Sequence, residues 1–300
     1  MAYHQPVLLQ ESLAGLAIKP EGIYVDVTFG GGGHSAEIAV KLTTGHLYGF
    51  DQDTDAEQES EKISSSAFTF VKANFRYLKK YLRLYGVKQV DGILADLGVS
   101  SHQFDTSERG FSTRFDGPLD MRMDKEAGKT ARDILNTYAE EDLHKLFGIY
   151  GEVKNAKTLA RTIVLKRATQ ELETIGQFKQ AIASCLPKGK ENKYLAQVFQ
   201  ALRLEVNDEM KALEEMLLQT AEVLKPGGRL VVISYHSLED RMVKNFIQKG
   251  KFFGEVEKDF FGNEIKPFTP VPPKLVTPSD RELQENNRSR SAKLRIAEKL

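Results

Sequence analysis

Short apolar runs alternate with helical patterns over the first hundred residues. β-branched and aromatic side chains predict strands over about 23–28, 46–51, 68–71 and 90–96. Apolar residues at helical spacing lie between the runs, as over 34–43. Strands that alternate with helices in this way predict an α/β fold with a mostly parallel sheet.

The alternation stops in the middle third of the chain. From about residue 105 to 204 no strand pattern is convincing, and the apolar spacing is helical. The predicted helices lie near 131–136, 139–148, 154–167, 174–185 and 193–204. This stretch is therefore predicted to be a helical domain inserted into the α/β domain.

The α/β pattern then resumes. A long helix is predicted over 207–224 and a strongly β-branched strand over 229–234. Residues 251–280 are predicted to be a surface loop, and alternation over 291–297 predicts a last, antiparallel strand. The predicted boundaries are residues 1–104 for the first part of the α/β domain, 105–205 for the insert and 206–300 for the second part.

A run of four glycines, Gly30–Gly33, follows the first predicted strand. Glycine permits positive φ and lets a ligand approach the backbone closely. A strand, a glycine turn and a helix start form a nucleotide-binding corner, although a flexible glycine loop has the same composition. No Lys or Arg lies in this turn, so we expect no pyrophosphate there.

Two predicted strands end in a carboxylate. Asp51 lies 21 positions after Gly30, the spacing at which an acid bonds ribose hydroxyls in doubly wound folds; alternatively, it caps the next helix. Asp96 ends the fourth strand, where ligands bind in open parallel sheets; alternatively, it caps a loop. Phe75, after the third strand, either stacks on an adenine or belongs to the core.

The overall charge does not point to nucleic acid, because 42 basic residues balance 42 acidic ones. Any basic surface must be local. Residues 151–193 hold nine basic and four acidic side chains, a net charge of +5, and residues 281–300 hold six and three. These stretches are either RNA contacts or ordinary solvated faces.

A single cysteine, Cys185, excludes an intrachain disulfide and a multi-cysteine zinc site. It fits a reducing compartment. The first residues do not resemble a signal peptide, and no apolar run reaches the length of a membrane span. We therefore expect a cytoplasmic protein without a bound metal.

Motifs along nearly the whole chain resemble one family, the bacterial 16S rRNA (cytosine-N4) methyltransferases known as RsmH or MraW. The stretches 116–123 and 226–241 are the most specific, whereas the glycine turn alone is weak evidence. The matching segments are His4–Leu8, Asp26–Ser35, Asp96–Ser101, Arg109–Phe111, Asp116–Met123, Phe199–Arg203, Pro226–Arg241 and Arg290–Arg295.

The resemblance implies a class I S-adenosylmethionine-dependent methyltransferase, with a Rossmann-like, mostly parallel seven-stranded sheet and a helical insert that helps to receive RNA. The implied substrate is the cytosine commonly numbered 1402 in the 16S rRNA of the small ribosomal subunit. Two departures concern RNA contacts: Gln197 and Asn287 replace residues that the family pattern often carries. The implied cofactor-binding residues are Gly32, Gly33, His34, Asp51, Phe75, Asp96 and Gln103.

A sulfonium methyl is already activated, so the reaction needs positioning of the amine rather than a nucleophilic residue. No catalytic residue is assigned. As a hypothesis, Ser234, Tyr235 and His236 hold the flipped base, with Tyr235 available for stacking; His236 could equally cap a helix or lie in the core. Methylation at cytosine C5 needs a cysteine nucleophile, and Cys185 is far in sequence from any strand end.

Two other classes share some of these features. A nicotinamide-dependent oxidoreductase also has a strand, a glycine turn and an acid, but Ser35 stands where the third glycine is usual. A non-catalytic RNA-binding protein could use the basic stretches alone. The sequence leaves open the oligomeric state and whether the substrate is naked rRNA or the assembled subunit.

Overall fold

The computed structural model describes residues 6–126 and 128–300. His4 and Gln5, which open the first family motif, lie outside the described residues. The chain divides into two compact units, the first made of the described residues up to Gly98 together with Lys211–Leu300, and the second of Val99–Met210. The boundaries predicted after residues 104 and 205 both lie inside the second unit.

Nine strands are formed by the described residues. Their bounds are β1 Ile23–Asp26, β2 His46–Asp51, β3 Phe68–Lys72, β4 Val90–Asp96, β5 Leu224–Ser234, β6 Glu257–Lys258, β7 Glu264–Ile265, β8 Phe268–Pro270 and β9 Lys293–Lys299.

Thirteen α-helices accompany them. Their bounds are α1 Leu9–Leu16, α2 Gly33–Val40, α3 Thr54–Ser60, α4 Leu78–Leu84, α5 Ser101–Asp105, α6 Ala131–Thr137, α7 Glu140–Ile149, α8 Ala156–Arg167, α9 Ile175–Ala181, α10 Glu191–Val206, α11 Glu209–Val223, α12 Ser237–Lys249 and α13 Asp280–Glu285.

The first unit is built on a seven-stranded sheet in the order β3-β2-β1-β4-β5-β9-β8. The first five strands in this order are mutually parallel, and β9 runs antiparallel to both of its neighbours. The predicted α/β fold with a mostly parallel seven-stranded sheet is confirmed. Because β1, β2, β4 and β5 point the same way, their carboxyl ends meet at one edge, which carries Asp26, Asp51, Asp96 and Ser234.

The structure differs from the predicted elements in two regions. Residues 251–280 are predicted to be a surface loop, but 257–258 and 264–265 pair as the hairpin β6–β7, and 268–270 form the edge strand β8, which pairs with β9. Strand β5 begins at Leu224 rather than Arg229, and it contains Gly227 with φ +76°. A strand of three residues that ends in Pro270 has too little alternation to be recognised, and its pairing comes from residues far along the chain.

The second unit is helical, with its own apolar core. Buried side chains of α6, α7, α8, α9 and α10 meet there, including Phe147, Phe178 and Phe199. All five helices predicted for this region are present. Four of them shift by at most two residues at either end, whereas the helix predicted over 174–185 ends at Ala181 and is followed by a 3₁₀ turn at Ala183–Cys185. No helix among residues 6–126 and 128–300 combines the length and apolarity that crossing a bilayer requires.

Candidate functional site

The glycine turn between β1 and α2 has one open side. A Cβ on Gly32, whose φ is +76°, would lie 2.7 Å from the ring of Phe29, and one on Gly33 would lie 2.4 Å from Pro6. Both glycines are therefore required by close packing and, at Gly32, by backbone conformation. A Cβ on Gly31, in contrast, would meet no atom within 4 Å. The backbone at Gly31 thus faces open space that a ligand can approach.

Asp51 lies at the end of β2 and is tied to the glycine turn. Its Oδ2 accepts from the backbone N–H of Gly30 at 2.8 Å, and its Oδ1 accepts from that of Asp53 at 2.9 Å. Burial raises the pKa of Asp51 to about 6, against the lowering effect of these two hydrogen bonds. The alternative that Asp51 caps the next helix is wrong, because the N-cap of α3 is Asp53.

Phe75 follows β3 and begins a short 3₁₀ turn capped by Asn74. The Asn74 amide donates to Gln52 Oε1 at 2.8 Å, which joins the segments that follow β2 and β3. The Phe75 ring is partly buried and packs against the apolar core of the sheet. Its remaining exposure leaves stacking on an adenine as a prediction.

Asp96 ends β4 and faces His34 at the start of α2. Its Oδ2 lies 3.9 Å from His34 Nδ1. His34 Nε2 lies 3.1 Å from the carbonyl oxygen of Val7. Since a carbonyl only accepts, Nε2 carries the ring proton in this contact, and Nδ1 is the atom directed towards Asp96. Burial raises the pKa of Asp96 to about 6.

Asp26, at the end of β1, was not among the predicted site residues. It is 1% exposed and accepts from Ser35 Oγ at 2.7 Å and from the Thr28 backbone N–H at 3.1 Å. Burial raises its pKa. Its position just before a glycine turn was the available clue. The carboxylate fastens the start of α2 to the sheet and adds negative charge beside His34.

The three residues proposed to hold the base have different surroundings. Ser234 is 2% exposed, and its Oγ lies 3.4 Å from the Lys293 carbonyl oxygen. The Tyr235 hydroxyl donates to Asp96 Oδ1 at 2.7 Å. His236 is the N-cap of α12, and its Nδ1 accepts from the Glu239 backbone N–H at 3.4 Å. The helix-capping alternative for His236 is therefore confirmed, and base-holding by these residues stays a prediction.

Gln103 and Gln197 belong to the second unit, where their side chains support local structure. Gln103 is 4% exposed and completes the capping box of α5, accepting from the Ser100 backbone N–H at 3.0 Å. Gln197 Nε2 donates to the Gly151 carbonyl at 3.0 Å. Asn287, in the first unit, opens a 3₁₀ turn. The cofactor contact predicted for Gln103 stays a prediction.

The basic stretch of the second unit is largely accessible to solvent. Seven of its nine basic side chains are exposed: Lys154, Lys157, Arg161, Lys166, Lys188, Lys190 and Lys193. Cys185, in contrast, is 7% exposed and lies in the apolar core. Within residues 6–126 and 128–300, no group of three or more His, Cys, Asp or Glu side chains is arranged to hold a metal ion.

The residues at the carboxyl edge of the sheet fit the nucleoside part of S-adenosylmethionine. The backbone of Gly31 is open on one side, and each Asp51 oxygen, with one N–H bound, retains a lone pair for a ribose hydroxyl. The turn over residues 26–35 carries no Lys or Arg, which suits a ligand without phosphates. Asp96 adds a second carboxylate at the same edge.

Comparisons with known proteins identify relatives that match nearly the whole chain. Ribosomal RNA small subunit methyltransferase H of Cytophaga hutchinsonii is 59% identical over 297 residues, which cover 99% of each chain. The protein of the same name from Parabacteroides distasonis is 60% identical over 99% of this chain and 98% of its own. A solved structure, a putative methyltransferase from Streptococcus mutans in complex with SAH, matches 97% of both chains at 14% identity and a TM-score of 0.46. A family model described as the MraW methylase family matches residues 1–300, and the chain therefore belongs to that family.

Proposed function

We propose that this protein transfers a methyl group from S-adenosylmethionine to the N4 amine of a cytosine in 16S rRNA, at the position commonly numbered 1402. The observation that carries the proposal is the full-length family match, combined with Asp51 and Asp96 at one sheet edge beside an open glycine turn. Relatives about 59% identical are named as small-subunit rRNA methyltransferases. Such a substrate is consistent with a cytoplasmic location.

Asp51 is the group that would hold the donor. Its two oxygens, oriented by the N–H groups of Gly30 and Asp53, would accept the two ribose hydroxyls. The donor, when bound, supplies a methyl group on a sulfonium that needs no further activation. Gly31 would let the nucleoside approach the backbone, and Phe75 would offer an aromatic face.

The acceptor amine is a weak nucleophile because its lone pair is delocalised into the cytosine ring. The chain must therefore orient the amine and accommodate the proton that it loses on methylation. Asp96, whose carboxylate lies at the edge with a pKa of about 6, is ionised at neutral pH and can accept a hydrogen bond or a proton. Cys185 has no role in this chemistry, because the N4 amine is itself the nucleophile and no thiolate is needed.

The second unit is proposed to bind the RNA. The seven exposed lysine and arginine side chains of its basic stretch, residues 151–193, can contact phosphates without reading sequence. Gln197 supplies no cation where the family pattern often has an Arg, and Asn287 stands where that pattern often has a Pro. We therefore expect the exposed cations of the basic stretch to contribute more of the binding. The family assignment favours methyl transfer over the hydride transfer considered above.

The proposal is tested with tritiated S-adenosylmethionine and small ribosomal subunits from cells that lack this protein. We expect label in 16S rRNA, and mass spectrometry should place one added methyl on a cytosine amine. The Asp51→Ala variant is the control for donor binding. A parallel reaction with naked 16S rRNA identifies which form is the substrate. Binding to subunits without methyl transfer would instead favour the non-catalytic RNA-binding alternative.

A further inference from the structure

The phenol of Tyr235 joins the ends of two neighbouring central strands. Asp96 is the last residue of β4, Tyr235 follows the last residue of β5, and the two strands pair in parallel with Asp96 opposite Ile233. The hydroxyl of Tyr235 donates to Asp96 Oδ1 at 2.7 Å. Asp26 and Asp51 each accept from a backbone N–H, whereas the Asp96 carboxylate accepts from none within residues 6–126 and 128–300. The bond from Tyr235 therefore fixes its orientation.

The Tyr235 side chain is itself held in place. Its ring packs against the apolar cluster beneath α1 and α2, and its backbone N–H donates to Glu239 Oε2 at 3.0 Å. Burial, with the nearby Asp96 carboxylate, raises the pKa of Tyr235 well above its ordinary value. The hydroxyl thus keeps its proton and acts as a permanent donor at any pH the protein tolerates.

We propose that Tyr235 is a positioning residue for methyl transfer: its hydroxyl holds the Asp96 carboxylate in one orientation, with Oδ2 left to face the ligand side. The proposal rests on the proposed function. This role differs from stacking on the base, because it uses the phenol oxygen, which is bonded to Asp96, and not the ring face. A ligand gains more free energy from a hydrogen bond to a carboxylate whose orientation is already fixed than from one to a mobile side chain.

The charged groups around Asp96 determine how its pKa changes when the Tyr235 hydroxyl is removed. Burial raises the pKa of Asp96 most, and Asp26 on β1 and Glu239 on α12 raise it further, whereas His34 on α2 and the hydrogen bond from Tyr235 lower it. Removing the hydroxyl deletes one lowering contribution and keeps all three raising ones. The Asp96 carboxylate should then take up a proton at higher pH than in the parent protein.

The test compares Tyr235→Phe with Tyr81→Phe, which removes a phenol oxygen from the opposite face of the sheet. Methyl transfer to small subunits is measured from pH 5.5 to 8.5. For Tyr235→Phe, we expect the acidic limb of kcat to move up by about 0.5–1 pH unit. The rate should fall about two- to sixfold near pH 6 and approach the parent rate at pH 8.5, with an unchanged KM for the subunit. Tyr81→Phe should follow the parent profile.

A direct measurement separates this proposal from the proposed function. The ¹³C shift of the Asp96 carboxyl is titrated in protein without ligand, with Asp96→Asn to assign the signal. The pKa of Asp96 should be higher in Tyr235→Phe than in the parent protein, whether or not the protein methylates RNA. An unmoved pKa and an unmoved acidic limb would overturn the positioning role. So would a Tyr235→Leu variant that raises the KM for the subunit while Tyr235→Phe keeps the parent profile, since that result assigns the ring to the base.

Discussion

Asp51 Oδ2 accepts a hydrogen bond of 2.8 Å from the backbone N–H of Gly30, so the end of β2 closes directly onto the glycine turn. The acid and the turn are 21 residues apart in the chain. The hydrogen bond couples the Asp51 side chain to the glycine turn, because movement of the carboxylate would shift the turn. Asp51 is therefore oriented before any ligand arrives, which lowers the entropic cost of binding.

Replacing Asp51 with Ala should weaken the binding of S-adenosylmethionine about 10- to 100-fold, since hydrogen bonds to a charged group contribute about 1.5–3 kcal/mol. Isothermal calorimetry measures the change. In the parent protein, affinity should fall as the pH drops below about 6, because Asp51 takes up a proton there. Glu57→Gln, which removes a carboxylate from the following helix, should bind as the parent protein does. Equal affinity of Asp51→Ala and the parent protein would contradict the ribose contact.

Alanine at Gly31 and alanine at Gly32 should have opposite effects. Gly31→Ala places its Cβ in open space, so the free energy of unfolding should change by less than about 1 kcal/mol, while affinity for S-adenosylmethionine falls at least about tenfold. Gly32→Ala forces positive φ on Ala and overlaps Phe29, so it should destabilise the protein by about 1–3 kcal/mol. Urea denaturation and calorimetry measure the two effects. Parent-like binding by Gly31→Ala would mean that the ligand does not approach that side of the turn.

Asn at position 96 should stabilise the ligand-free protein at neutral pH. The folded-state pKa of Asp96 is raised from 3.8 to about 6, so the buried charge costs stability above pH 6 and nothing below about pH 4. Asn is neutral, and its oxygen can still accept from Tyr235. The variant should therefore exceed the parent free energy of unfolding by about 2–3 kcal/mol at pH 7.5 and match it at pH 4. A constant difference across this range would show that the charge of Asp96 is not the cause.

Charge reversal on the exposed side of α8 should weaken the binding of RNA alone. The double variant Lys157→Glu and Arg161→Glu should raise the KM for small subunits about 5- to 20-fold at physiological salt, and flatten the salt dependence of binding. Affinity for S-adenosylmethionine should be unchanged. Lys258→Glu, an exposed lysine of the hairpin β6–β7 in the first unit, is the control. An equal effect of the control would indicate non-specific electrostatics.

Cys185→Ala should methylate at a rate within about twofold of the parent protein, because transfer to an exocyclic amine needs no thiolate. A modest loss of stability, about 1 kcal/mol, is expected from the smaller side chain in the core of the second unit. Initial rates with saturating donor and subunits measure the first effect. A loss of activity in a fully folded variant would instead favour methylation at cytosine C5, which needs a cysteine nucleophile.

The sequence predicts most of the sheet because its strands are β-branched and are separated by helices of clear period. The edge strand Phe268–Pro270 could not be predicted, since three residues carry no period and their pairing depends on β9. Likewise, the sequence shows an acid after the second strand but not which acid caps α3. That role falls to Asp53, two residues after Asp51, and only the backbone geometry distinguishes the two.

Within the site, strand ends made Asp51 and Asp96 predictable. Asp26 could not be predicted as a site residue, because a polar residue between Val25 and Val27 is typical of the solvent-facing side of a strand. Tertiary packing buries it instead. The bond between Tyr235 and Asp96 spans 139 positions and depends on the pairing of β4 with β5. Contacts of this kind are set by topology, which a local pattern does not contain.

Pro6 rests where a side chain on Gly33 would otherwise be, and the next residue, Val7, receives the ring proton of His34. Pro6 and Val7 thus pack against the start of α2, next to the glycine turn. An affinity tag that displaces Pro6 and Val7 should weaken the binding of S-adenosylmethionine and leave the binding of RNA unchanged. Purification tags are therefore better placed after Leu300, whose backbone N–H donates to the Pro267 carbonyl. Leu300 follows the end of β9, at the edge of the sheet opposite to the one that carries Ser234.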